Sequence, residues 1–242
     1  MTVLLPALAA LSLAAADPAS TQAAPAPAGS PEPAPASTGG PEPAPETSPA
    51  PKRPASLLGG ASLGAGGAAW SATVGYPRLA IAYGQGFTDR DDWSALLDID
   101  WAATEAVPAG AWRREILRSE GAHLALRFRL GFYTCAGATW IWSDNRSDLG
   151  LQLSGGIAFS ADLGPGLLTV AGDIPATWTF ARGMGWILAP LATLAYEAPV
   201  VEDFALGAQV GAGGRSAGGG APGANDSRTL VELVLVATWR VF

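Results

Sequence analysis

From residue 149 to residue 163 the chain alternates, with Leu149, Leu151, Leu153, Gly155, Ile157, Phe159, Ala161 and Leu163 at the odd positions. Between them stand Gly150, Gln152, Ser154, Gly156, Ala158, Ser160 and Asp162. A period of two places the two sets on opposite faces of a strand. One face is large and apolar, the other small and polar. A barrel in a lipid bilayer needs this arrangement, because its apolar side meets lipid and its polar side lines the lumen.

The pattern recurs along the chain. Leu79, Ile81, Tyr83 and Phe87 lead into a turn at 88–91, after which Trp93, Ala95, Leu97, Ile99 and Trp101 share a face opposite Ser94, Asp98 and Asp100. Leu124, Leu126, Phe128, Leu130 and Phe132 oppose His123, Arg127 and Arg129. Gly164-Pro165-Gly166 marks a tight hairpin, followed by a strand with Leu168, Val170, Ile174, Ala176 and Trp178 on its apolar face. Residues 186–196 are apolar on both faces, and further strands are marked by Phe204, Leu206, Ala208, Val210 and by Val231, Leu233, Leu235, Ala237, Trp239, Val241. Short turns at 88–91, 119–121, 164–166 and 199–203 alternate with longer links at 105–109, 136–147, 180–184 and 214–228. An up-and-down antiparallel barrel connects its strands in this way. With both termini on the periplasmic side the strand number is even. Ten strands result if residues 110–118 and the stretch through Trp70 and Val74 both enter the wall; eight is the alternative count.

Composition adds location. Charged residues make up only 14% of the chain, against about 25% in ordinary soluble domains, and mean hydropathy is +0.24. Residues 3–16 form an apolar run ending in Ala14-Ala15-Ala16, read as a secretory signal peptide spanning residues 1–16. Elsewhere no 18-residue uncharged apolar run offers a spanning helix. Backbone polar groups can be satisfied in lipid only by helices or closed barrels. Residues 17–60 are rich in Pro and Ala, with Pro31-Glu32-Pro33-Ala34-Pro35 repeated as Pro41-Glu42-Pro43-Ala44-Pro45. They are expected to form a disordered periplasmic linker, and residues 61–242 the barrel domain. A water-soluble β-sandwich is the alternative fold. The net charge of −7 argues against nucleic acid as a partner.

Aromatic residues fall at predicted strand ends. Phe87, Trp93, Tyr196, Phe204 and Trp239 belong near the periplasmic rim, and Trp101, Trp178 and Trp186 near the outer rim. Trp93 and Trp101 would lie ~26 Å apart along a strand and ~20 Å apart after tilting, close to the height of a barrel's apolar band. On the alternation, the aromatic girdles, the turn pattern and the terminal strand 230–242, residues 61–242 resemble the bacterial outer-membrane β-barrel proteins, particularly the small barrels of eight to ten strands. The resemblance implies an outer-membrane location, contact with outer-membrane lipid, and recognition of the C-terminal strand by the barrel insertion machinery. One departure is that Phe242 is out of phase with the apolar face, its in-phase neighbours being Thr238 and Arg240.

Candidate chemistry is sparse. His123 is the one histidine and follows the turn at 119–121, whereas the family's enzymes generally place their active sites toward the outer leaflet or cell surface. It reads as a structural residue, and the chain as a non-enzyme. Asp98, Asp100, Arg127 and Arg129 point into a narrow lumen, where charges must pair. They are expected to form a network plugging the barrel, with a narrow passage for small solutes as the alternative. The outer loop carrying Trp140, Trp142, Asp144, Asn145 and Asp148 offers aromatic and acidic groups to a cation or sugar, in a spacing that fits no defined metal motif. Residues 215–228 read as glycine-rich filler. The single cysteine, Cys135, is read as a small packed residue, and no cofactor signature is present.

Overall fold

The computed structural model describes residues 56–137, 147–224 and 227–241. Residues 1–55, which hold the run read as a signal peptide and most of the stretch read as a linker, lie outside the described residues, as do Trp140, Trp142, Asp144, Asn145 and Phe242. The strands are β1 (Ala68–Tyr76), β2 (Arg78–Gly86), β3 (Asp91–Asp100), β4 (Glu105–Ser119), β5 (Ala122–Cys135) and β6 (Asp148–Leu163). They continue as β7 (Gly166–Thr179), β8 (Gly185–Leu188), β9 (Leu191–Val201), β10 (Phe204–Gly219) and β11 (Arg228–Arg240). Every neighbouring pair is antiparallel, and β1 pairs with β11 from Ala69↔Arg240 to Tyr76↔Leu233, which closes the wall. Both β8 and β9 lie between β7 and β10 and so occupy one place. The result is a closed antiparallel barrel of ten strands. Closure removes the unpaired edges that an open sheet would expose. The weak segment 110–118 and the stretch through Trp70 both enter the wall, as parts of β4 and β1.

Three expectations change in detail. The link placed at 105–109 is strand, and the turn falls at 101–104, where the Asp100 carboxylate accepts a hydrogen bond from the Ala103 N–H at 2.8 Å. The strand read as 186–196 is broken after Leu188, since Pro190 has no N–H for the ladder. Its carbonyl still accepts from Gly214 N, and Ala189 N still donates to Pro175 O, both at 3.0 Å. In the 214–228 link, strand β10 continues as far as Gly219.

Hairpin ends follow from local chemistry. At 88–91 the Thr88 hydroxyl accepts from Asp91 N at 2.9 Å and donates to the Asp91 carboxylate at 2.9 Å. Between β6 and β7, Gly164 adopts φ +60°, a left-handed conformation that costs an L-residue about 1–2 kcal/mol. Gly164→Ala is therefore expected to lower stability by about 1 kcal/mol, read as a shifted urea midpoint with an unchanged slope. In β4 the register against β5 slips between Glu115 and Leu117. This bulge turns both Ile116 and Leu117 outward while Glu115 remains buried inside.

The two faces of the wall are opposite in character. Outside, exposed apolar side chains continue around the circumference, from Ile81 and Leu97 through Phe128, Ile157 and Val170 to Leu206 and Leu235. Inside, Ala69, Ala125, Ala158, Ala171 and Ala195 alternate with buried Ser71, Thr73, Ser154, Thr169 and Thr177. Typical monomers in water expose apolar patches of only a few hundred Å². This barrel exposes a complete belt.

Candidate functional site

The rim where β1 begins and β11 ends is called here the terminal rim, and the opposite one the far rim. Just inside the terminal rim lies a stretch of chain without regular structure, residues 56–67. It includes residues 56–60, on the linker side of the boundary drawn from sequence. The Ser56 hydroxyl donates to Glu197 on β9, whose other oxygen accepts from Thr238 of β11 at 2.9 Å. Arg113 of β4 donates through Nη1 to the carbonyls of Ser56 and Gly59 at 2.9 and 2.8 Å. Arg127 of β5 donates to Leu58 O at 3.0 Å, and Gly60 N donates to Ser160 of β6 at 2.7 Å. Asp92 of β3 accepts from the Ser62 hydroxyl at 2.9 Å and from Leu63 N at 3.0 Å. The segment thus crosses the opening, held by side chains on five strands and by the Gly66 N–H, which donates to Gly86 O of β2 at 2.9 Å. It forms no ladder of its own; side chains of the wall and its own Ser56 and Ser62 satisfy much of its backbone.

The charges that hold it are themselves paired. Arg113 donates through Nε and Nη2 to Asp92 Oδ2 at 2.8 and 2.6 Å, with side-chain exposures of 8% and 3%. Glu115 lies 2.5 Å from His123 Nδ1 and accepts from Arg118 Nε at 3.0 Å. His123 is buried, and its carbonyl lies against Gly60.

Beyond this segment is a cavity of about 310 Å³. Leu57 and Leu58 line it on the terminal side, and Pro77, Asp100 and Leu230 line it at the far rim. Its middle is crossed by guanidinium–carboxylate contacts. Arg78 donates through Nε to Asp98 Oδ1 at 2.7 Å and lies 3.5 Å from Glu232. Arg129 Nη1 donates to the same Asp98 at 2.9 Å, and Arg127 pairs with Asp173 of β7. Three arginines face three carboxylates, so this part of the lumen is close to neutral.

Part of the far mouth is occupied by packed chain. Ala221 packs on Val107, Tyr133, Cys135 and Ile187. Arg215 joins Glu105 at 2.6 Å and donates to Pro222 O at 3.2 Å, while the Tyr133 hydroxyl donates to Glu105 at 2.8 Å. Residues 215 and 220–224, expected to be filler, are therefore packed structure at this mouth.

Asp98, Asp100, Arg127 and Arg129 all line the cavity. Asp98 and Arg129 meet directly; Arg127 takes Asp173 instead, and Asp100 caps the 101–104 turn. Parity alone gave inward orientation, and the partners Arg78, Asp173 and Glu232 were missed because register decides them. Phe87, Trp93, Tyr196, Phe204 and Trp239 lie on the terminal half of the wall, and Trp101, Trp178 and Trp186 at its far end. Trp178 stands opposite Trp186, and the Trp101 indole donates to Gly75 O at 2.9 Å. Asp148, the first residue of β6, is buried and accepts from Ala181 N at 3.0 Å. Among the described residues no cluster of His, Cys, Asp and Glu is placed to hold a metal ion.

Fold and site together define a small closed β-barrel with an apolar exterior and a charged, internally paired lumen. Comparison of the chain with protein-family models, with curated proteins and with solved structures gives no match.

Proposed function

We propose that this chain is an integral outer-membrane β-barrel with a structural or surface-interaction role and a largely closed polar lumen. One observation carries the reading: a complete ring of exposed apolar side chains surrounds a wall whose interior is polar and charged. Water penalises such an exterior, whereas a bilayer solvates it. The aromatic side chains at both ends of the belt, with Trp70, Tyr83 and Trp93 in ring contact near one rim and Tyr76 and Trp101 near the other, suit the two lipid–water interfaces. Its partners in this reading are outer-membrane lipid and, through strand β11, the machinery that inserts barrels.

The role is non-enzymatic. The His123 side chain is buried and bound by Glu115, which supports a structural part for it. His123→Ala is expected to leave the lipid profile of the membrane unchanged.

Membrane fractionation with heat-modifiability on a detergent gel tests the location. Unboiled protein is expected in the outer-membrane fraction, shifting in mobility on boiling. Protein that stays soluble after cell breakage and shows no shift would end the membrane reading.

A further inference from the structure

We infer that residues 56–66 are a displaceable plug, and that the barrel is a passage for small cations and uncharged solutes that this segment closes. The inference rests on the membrane reading above. The cavity already reaches the far rim at Pro77, Asp100 and Leu230, beside the part where Ala221 packs. On its terminal side Leu57 and Leu58, both plug residues, form its boundary. A ten-stranded wall is wider than the eight-stranded kind whose interior is just filled by side chains. Here the space is filled by a piece of chain instead.

The plug runs on into β1 at Ala68, and beside that junction Gly66 N donates to Gly86 O of β2 at 2.9 Å; elsewhere it is held without backbone pairing to the wall. Its other ties are hydrogen bonds with wall side chains: Arg113 and Arg127 to carbonyls, Ser160 from an N–H group, Asp92 from an N–H group and a hydroxyl, and Glu197 from a hydroxyl. When it leaves, Arg113 keeps Asp92 and Arg127 keeps Asp173, so both cations remain neutralised. Glu197 differs, because its hydrogen bonds come from the hydroxyls of Ser56 and Thr238. The opened terminal constriction therefore presents a carboxylate and favours cations.

Two substitutions separate the plug from the wall. A Cβ at Gly60 would lie 2.6 Å from Ala158 O and 2.7 Å from His123 O, both backbone atoms of the wall that cannot give way. Gly60→Leu therefore expels the segment while leaving every wall residue in place. A Cβ at Gly59 would lie 2.6 Å from Ser160 Oγ, so Gly59→Cys with Ser160→Cys, in a Cys135→Ala background, locks the segment by a disulfide.

The test is planar-bilayer conductance of the full chain, with heat-modifiability measured on each preparation. Wild type is expected to be nearly silent, and Gly60→Leu to give discrete, cation-preferring current steps. Glu197→Gln in that variant is expected to weaken the preference. The oxidised double-cysteine chain is expected to lose any residual openings, which dithiothreitol restores. A heat-modifiable, inserted Gly60→Leu barrel that stays silent, prefers anions, or matches wild type overturns the plug and leaves the membrane reading standing. Openings of the reduced double-cysteine chain that persist after oxidation also overturn it. Wild-type chain that neither inserts nor shifts on boiling overturns both.

Discussion

Leu97→Arg is expected to destabilise the inserted barrel by about 2–4 kcal/mol, the cost of a cation on a lipid-facing strand near the bilayer midplane. Leu97 lies on the outer face of β3, between Ile81 and Pro108 on the neighbouring strands, and is 39% exposed. It stands midway along the strand between Trp93 and Trp101, the two aromatic residues that bracket the belt on β3. An arginine there must snorkel, thin the bilayer or draw in water. The same substitution at Phe87, on the terminal turn, should cost only about 0–1 kcal/mol because the penalty falls toward the interface. Urea unfolding in lipid vesicles, followed by tryptophan fluorescence, measures both. In water an exposed Leu→Arg change stays within about 0.5 kcal/mol. Equal, small effects at Leu97 and Phe87 would therefore contradict a lipid-facing wall.

Arg113→Met is expected to cost about 3–5 kcal/mol, since it leaves a buried carboxylate without its cation. Asp92 retains only Ser62 and Leu63 as partners once the two guanidinium hydrogen bonds are gone. The carbonyls of Ser56 and Gly59 lose a donor in the same step. Arg113→Met combined with Asp92→Asn should recover part of the loss, because the uncompensated charge is removed while an acceptor for Ser62 and Leu63 remains. The neighbouring Arg114–Asp91 pair is 3.9 Å apart with Arg114 55% exposed. Arg114→Ala should thus cost less than about 1 kcal/mol. A single Arg113 variant as stable as Arg114→Ala would mean that the buried pair is not what holds the terminal end together.

Alternation was read correctly where it is strong, as in β6, where Leu149 to Leu163 face out and Ser154, Ala158 and Ser160 face in. It failed where a local irregularity interrupts the period. The bulge at Ile116 and the break before Pro190 both fall in segments that carried the weakest pattern. Arg113 and Glu115 sit in the first of these segments and Glu197 lies one residue past the second, which is why the sequence pattern does not single out these terminal-end charges. A compositional hint for the plug did exist: proline stops at Pro54, and Ser56-Leu57-Leu58-Gly59-Gly60 is small and apolar rather than Pro/Ala-rich.

Which way a side chain points was determined by the sequence alone, because the two-residue period of a strand is a local property of the backbone. An apolar exterior and a charged interior follow from that period repeated along the chain. Which charges meet was decided only by the tertiary structure. Arg78 reaches Glu232 across the β1–β11 closure, and Arg127 finds Asp173 two strands away, so both pairs depend on register and ring closure. The place of residues 56–66 is non-local for the same reason. A segment with no ladder of its own takes its path from donors and acceptors on other strands, and those stand together only once the barrel has closed.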